Sequence, residues 1–171
     1  MAYSHHLTED DLAFPYFKKI IPHAPYDRLH EDHQRFVVLL DQIQSAAEAA
    51  ALGDHPKENL AEMNRLLGKL QEMWHPHIHI EETDFNKDEV DRALSHEEQA
   101  KMNQEFAQHS ASHSGPDYLI VPFMLYNLPP DDRAAMEREL PPIVTKQLIP
   151  VVWKEQWKSM QPFFAFRLAL I

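Results

Sequence analysis

Twelve histidines in 171 residues, with no cysteine at all, point to imidazole and carboxylate chemistry, and their spacing says where it would occur. In the segment 57–85 the apolar residues Leu60, Met63, Leu67, Leu70 and Trp74 recur at alternating intervals of three and four, the stripe that a bundle helix buries. The same interval carried on reaches His77, Glu81 and Phe85. One imidazole and one carboxylate, a helical turn apart, therefore fall on the buried face. Residues 27–51 give Leu29, His33, Phe36, Leu40 and Ile43, and residues 5–20 give His5, Glu9, Leu12, Tyr16 and Ile20. Residues 95–113 give Met102, Phe106, His109 and His113.

A single histidine on an apolar stripe is ordinarily a hydrogen-bonded core residue. Here every helical segment of the first two-thirds carries one in register, and two add a glutamate four residues on. Buried carboxylates need partners, and without them cost several kcal/mol. A shared metal satisfies all of these groups together. His-x-x-x-Glu on two helices with single histidines on others is how helical bundles hold two iron or manganese ions. Six or seven nitrogen and oxygen donors suit an iron pair better than tetrahedral zinc. His6, His30, His75 and His79 flank these positions but point off the stripe, exchanging with their neighbours if a register slips, particularly beside Pro76. His23, His55 and His96 fall in turns or at a helix start. Tyr16 reads as packing, Glu155 as a solvated charge.

The elements that must position these residues are helices. Glycine is only 3 of 171 and β-branched residues are sparse before the C-terminal third, so the expected class is all-α. Helices are predicted over 5–20, 27–51 and 57–85, the last kinked or restarted at Pro76. Another starts near Ser95, where Ser95 and Glu98 form a capping box, and ends near Ser114, Gly115 and Pro116. Residues 86–94 read as a turn with a short helical piece. Beyond Pro116, repeated prolines cut the chain into short pieces bearing Trp153, Trp157, Phe163, Phe164 and Phe166. With no polar linker, the expectation is a single domain, 1–171: metal-binding helices over 1–113 and a helical extension over 114–171 packed on the bundle.

Acidic residues outnumber Lys and Arg by 27 to 16, for a formal charge of −11. Such a surface repels phosphate backbones and anionic lipid, so neither nucleic acid nor membrane is expected as a partner. No apolar run is long enough to span a bilayer, and the N-terminal residues lack a secretory pattern. The cytoplasm is the expected compartment. Disulfide, thiolate-metal and cysteine-nucleophile chemistry is excluded by composition. No Gly-x-Ser-x-Gly turn or glycine-rich phosphate loop is present.

The stretches HHLTEDDLAFP (5–15), LHEDHQRF (29–36) and HPHIHIEETDF (75–85) resemble the hemerythrin-like family, the HHE cation-binding domain. His5 and Glu9 with the following Phe14 and Pro15, His33, and His77 with Glu81 match its motifs in order. The tail segments VPFMLYNLPPDDR, LPPIVTKQLIP and VVWKEQWKSMQPFF are similar to the C-terminal region of a hemerythrin-like subgroup. The resemblance implies an up-and-down helical bundle with additional C-terminal helices. It also implies a di-iron centre, oxo- or hydroxo-bridged, that binds or senses O2 or a related ligand such as peroxide or NO. A di-iron enzyme acting on peroxide or a small organic substrate is the alternative, and a metal-free helical interaction module a third reading. The family's usual first helix, with its histidine, is absent. Either the chain lacks an upstream segment, or another residue fills that role; His109 or His113 is the candidate, since their helix can lie where the missing one would. A second frame begins at His33 and uses His77, Glu81, His109 and His113, but lacks the family's last motif. The first frame is preferred.

Overall fold

The computed structural model describes residues 2–85 and 87–165. Phe166, named among the aromatic residues of the tail, lies outside the described residues, as does Asn86. Among the described residues the regular structure is helical throughout, without a strand. The chain divides into two compact units, Ala2–Ala111 and Ser112–Ile171.

In the N-terminal unit, the segment expected to be one helix over 5–20 is helical but not uniformly so. Helix α1 (Ala2–Thr8) runs into a π-helical stretch, Glu9–Ala13, and then a short α2 (Phe14–Phe17). Pro15 gives the local reason. It has no N–H to offer the Asp11 carbonyl, and its ring crowds that turn, so the ladder widens and the Phe14 amide bonds the Glu9 carbonyl, five residues back. The widened turn changes which side chains face inward. Ser4, His6, Thr8, Ala13 and Phe14 are buried, while His5 is half-exposed.

Helices α3 (Tyr26–Ala51) and α4 (Pro56–Asp84) form the long antiparallel pair on which the rest of the unit is built. Helix α3 ends where Gly53 adopts φ +82°. The Gly53 amide bonds the Ala50 carbonyl and the Asp54 amide that of Ala49, the pattern that satisfies the last carbonyls of a helix. Pro56 opens α4, where its missing N–H costs nothing. On α3 the buried stripe is the expected one, with Leu29, His33 and Phe36 almost fully enclosed. On α4 it holds at His77 but drifts towards the N-terminus of the helix, where Leu66 is buried and Leu60 and Leu67 are exposed. A straight helix turns every 3.6 residues, so a 3.5-residue pattern slips by about 20° per heptad. Pro76 lies inside α4, which continues through it.

Helix α5 (Lys87–Ala93) is a single short piece, and α6 (His96–His113) follows. The Ser95 amide bonds Glu98 Oε2 and the Glu98 amide bonds Ser95 Oγ, the expected capping box. Phe14, Ile21, Ala24, Tyr26 and Leu29 form the apolar core beside the histidines, joined by Phe17, Ile80 and Phe85. Each fully buried side chain of this size contributes about 2 kcal/mol.

The C-terminal unit comprises α7 (Asp117–Asn127), α8 (Pro130–Glu139), a π-helical stretch over Val144–Val152, α9 (Lys154–Trp157) and a 3-10 turn over Lys158–Phe163. It has its own core of Leu125, Tyr126, Ile149, Trp157 and Phe164. Trp157 is fixed by its indole N–H, which donates to the Ile149 carbonyl at 2.8 Å. Glu155 is exposed and pairs with Lys158. Among the described residues no helix is long and apolar enough to cross a membrane.

Candidate metal centre

Three imidazoles from three elements meet inside the N-terminal unit. His33 on α3 and His77 on α4 are buried, and their Nε2 atoms lie 3.2 Å apart. His6 on α1 stacks against His33, with ring centroids 4.2 Å apart and planes within 9°. Phe36 lies against His6 and His77 and closes the inner side. One donor atom from each histidine lies within 4.8 Å of the others.

A second group adjoins the first. His5, Glu9 and Glu81 also offer donors within 4.8 Å of one another. His5 Nε2 is 3.2 Å from Glu9 Oε1. Glu9 Oε2 is 3.5 Å from His33 Nε2, and Glu81 Oε1 is 3.0 Å from His77 Nε2 and 3.9 Å from His33 Nε2. The two carboxylates therefore stand between the buried imidazoles and the half-exposed His5.

Carboxylates behind the imidazoles orient them. Asp10 Oδ1 accepts from His33 Nδ1 at 2.9 Å, so that nitrogen carries the proton and Nε2 presents its lone pair. Asp10 also approaches His30 at 3.1 Å. Behind His77, Asp32 Oδ2 lies 3.7 Å from Nδ1.

This interior is poorly satisfied by protein alone. Both nitrogens of His6, Glu9 Oε2, Glu81 Oε1 and His77 Nδ1 are buried without a hydrogen bond. Each such group costs about 1–3 kcal/mol. Burial, then the neighbouring imidazoles, pushes His6 down to about 3, so it is neutral and able to ligate. Burial, then Glu81 and Asp10, pushes Glu9 up to about 8. Burial would also raise Glu81, but the adjacent imidazoles of His33 and His77 outweigh it and hold that carboxyl at about 2. Donors bonded to one cation at about 2.1 Å in perpendicular directions stand about 3 Å apart. The separations between the imidazole and carboxylate donors are of this size. The residues fit the binding of a cation.

Of the residues singled out from the sequence, His5, Glu9, His33, His77 and Glu81 are brought together. His109 and His113 belong to neither donor group. Thr8 Oγ1 donates to the Ser4 carbonyl at 2.8 Å and so accepts from His109 Nδ1 at 3.0 Å, while His109 Nε2 lies 3.2 Å from Asp11. Both ring nitrogens of His109 are thus engaged in tying α6 to the N-terminal segment. His113 is exposed, with Nδ1 3.0 Å from Ser112 Oγ. His6, read from the sequence as pointing off the stripe, is the residue whose place differs most from expectation. Its signal was Pro15, which widens the turn between His6 and Phe14 and so turns His6 inward.

A helical unit that gathers imidazoles and carboxylates from its N-terminal segment, α3 and α4 around one buried point is, as a class, a cation-binding bundle. The family model for the hemerythrin HHE cation-binding domain matches residues 1–88, just over half of the chain, and the protein belongs to that family. No curated protein and no solved structure matches the chain. All six residues of the two donor groups lie within the matched stretch.

Proposed function

We propose that the N-terminal unit holds two iron ions, one on His6, His33 and His77 and the other on His5, Glu9 and Glu81. We propose further that the pair binds or senses O2 or a related small ligand such as peroxide or NO. The observation that carries this reading is the pair of facing Nε2 atoms of His33 and His77, with the partnerless His6 beside them. His33 directs a lone pair into a buried space that it shares with the imidazoles of His6 and His77. Bound there, iron would supply a redox-active cation able to take an exogenous ligand. Nitrogen and oxygen donors without thiolate suit iron or manganese, and the abundance of imidazole favours ligand binding over oxidative attack on substrate.

On this reading His6 supplies the third imidazole of the inner position, and the adjacent His5 serves the other ion. His33, His77 and His6 enclose the inner position. Glu9 and Glu81 hold the outer one, and His5, half-exposed, faces the open side. His109 has a positioning part, setting α6 against the N-terminal segment.

Metal analysis with a UV–visible spectrum of aerobically purified protein tests the assignment. The expected result is about two irons per chain, with most of the metal lost in His77→Ala and in His6→Leu while both variants remain helical. In the metal-free state His6→Leu is expected to be at least as stable as the parent, because the leucine removes two unsatisfied buried nitrogens. Full iron occupancy in both variants, or a parent that takes up no iron on reconstitution, refutes the assignment.

A further inference from the structure

The outer donor group borders a cavity far larger than O2 requires. Its volume is about 340 Å3, and it lies between the N-terminal segment and α6, lined by the polar His5, Thr8, Glu9 and Ser110 and the apolar Ala13, Phe17, Phe106 and Ala107. A molecule the size of water occupies about 30 Å3 of liquid, and an apolar cavity of about 150 Å3 accommodates benzene. The space beside Glu9 exceeds both.

From this we infer that the cavity takes a compact organic molecule of about one substituted ring, apolar over its body, with one oxygen donor at the end facing His5 and Glu9. The inference deepens the cation-site reading and rests on it for the polar end alone. Phe17 and Phe106 lie edge to face, with centroids 6.3 Å apart and planes at 72°. Such a pair offers a ring both a face and an edge to pack against. Elsewhere in the lining, His5 and Glu9 present an imidazole and a carboxyl group, so a hydroxyl arriving there finds hydrogen-bonding partners. A neutral hydroxyl is favoured over a carboxylate, because Glu9 and Glu81 are already crowded and Asp11 lies close by on the same segment. The wall formed by α6 is held at its present distance by the bonds of His109 to Thr8 and Asp11 and by the Phe17–Phe106 contact. This sets an upper limit on ligand girth. Ala107 is exposed on α6 while lining the cavity, which places it at the mouth.

The test titrates phenol and toluene separately into the full chain, metal-free and iron-loaded. Ring resonances of Phe17 and Phe106 are followed by NMR in the metal-free form, and affinity by calorimetry in both. Phenol is expected to shift both phenylalanine rings and to bind more tightly than toluene. In Ala107→Trp, which fills the mouth from an exposed helical position, phenol binding is expected to weaken at least about tenfold, with iron stoichiometry equal to that of the parent. Failure of phenol to perturb either ring, equal affinity for phenol and toluene, or unweakened binding to Ala107→Trp overturns the inference. Iron stoichiometry of the parent is read independently. Phenol binding without iron would refute the cation-site proposal and leave the cavity's ligand class standing.

Discussion

Glu9 and Glu81 show how one enclosed site separates two chemically equal groups. Both are largely buried, yet Glu81 leans on the imidazoles of His77 and His33 and stays ionised, whereas burial and the Glu81 charge push Glu9 up to about 8. The consequence for stability has a definite sign. Between its ordinary value, 4.5, and its folded one, the Glu9 carboxyl holds a proton in the folded chain that the unfolded chain has released. Rising pH across that interval therefore destabilises the metal-free fold. His6, lowered by burial, acts in the opposite sense, its contribution being lost as pH falls from the usual imidazole range. Above that range Glu9 acts without opposition from His6. Urea midpoints of metal-free protein at about pH 6 and about pH 9 should fall more for the parent than for Glu9→Gln, which keeps the shape but cannot ionise. Equal falls would mean that Glu9 is already ionised near neutrality.

At the level of elements, the π-helical stretch Glu9–Ala13 sets how closely His6 lines up with the core around Phe14. A regular helix run back from Phe14 would put His6 about 80° and His5 about 180° from it; the wider turn, which takes up one extra residue, brings His6 towards the Phe14 face and leaves His5 at the open edge. Removing one residue from this stretch should restore the ordinary period while leaving everything before it in phase, because a π turn takes up one extra residue. Asp11 is the position to delete, being half-exposed, with Asp11→Ala as the control for its bond to His109. Deletion of Asp11 is expected to keep the circular dichroism of a helical protein and to retain iron, as is Asp11→Ala. Iron lost from the deletion and kept by Asp11→Ala would show that the extra residue is itself needed to direct the ligands.

At the scale of the whole molecule, every residue of the two donor groups lies before Ala111, within the unit that has its own core around Phe14 and Leu29. The Ser112–Ile171 unit is built around Trp157 and Tyr126 instead. A chain ending at Ala111 should therefore bind iron with the stoichiometry of the full chain, measured by metal analysis after reconstitution. A loss of one or both ions on truncation would indicate that the C-terminal unit contributes to the site.

The helical class, the long α3–α4 pair, the capping box at Ser95 and the burial of His33 and His77 are all local or periodic properties, and they were legible in the sequence. Hydrophobic spacing near 3.6 residues states which face of a regular helix is buried, and glycine and proline state where it stops. The same rule misplaced Leu60 and Leu67, because a seven-residue pattern drifts on a straight helix as long as α4. It misplaced His6 because one missing N–H, at Pro15, changes the period itself. The donor groups, with Asp10 behind His33 and Asp32 near His77, needed the tertiary structure, since they join residues from elements far apart in the chain. His109 likewise lies on the expected face of α6, but a helical register sets only direction. Whether a nitrogen on that face finds a ligand group or Thr8 and Asp11 depends on how far one helix stands from the next, a distance set by the packed side chains between them.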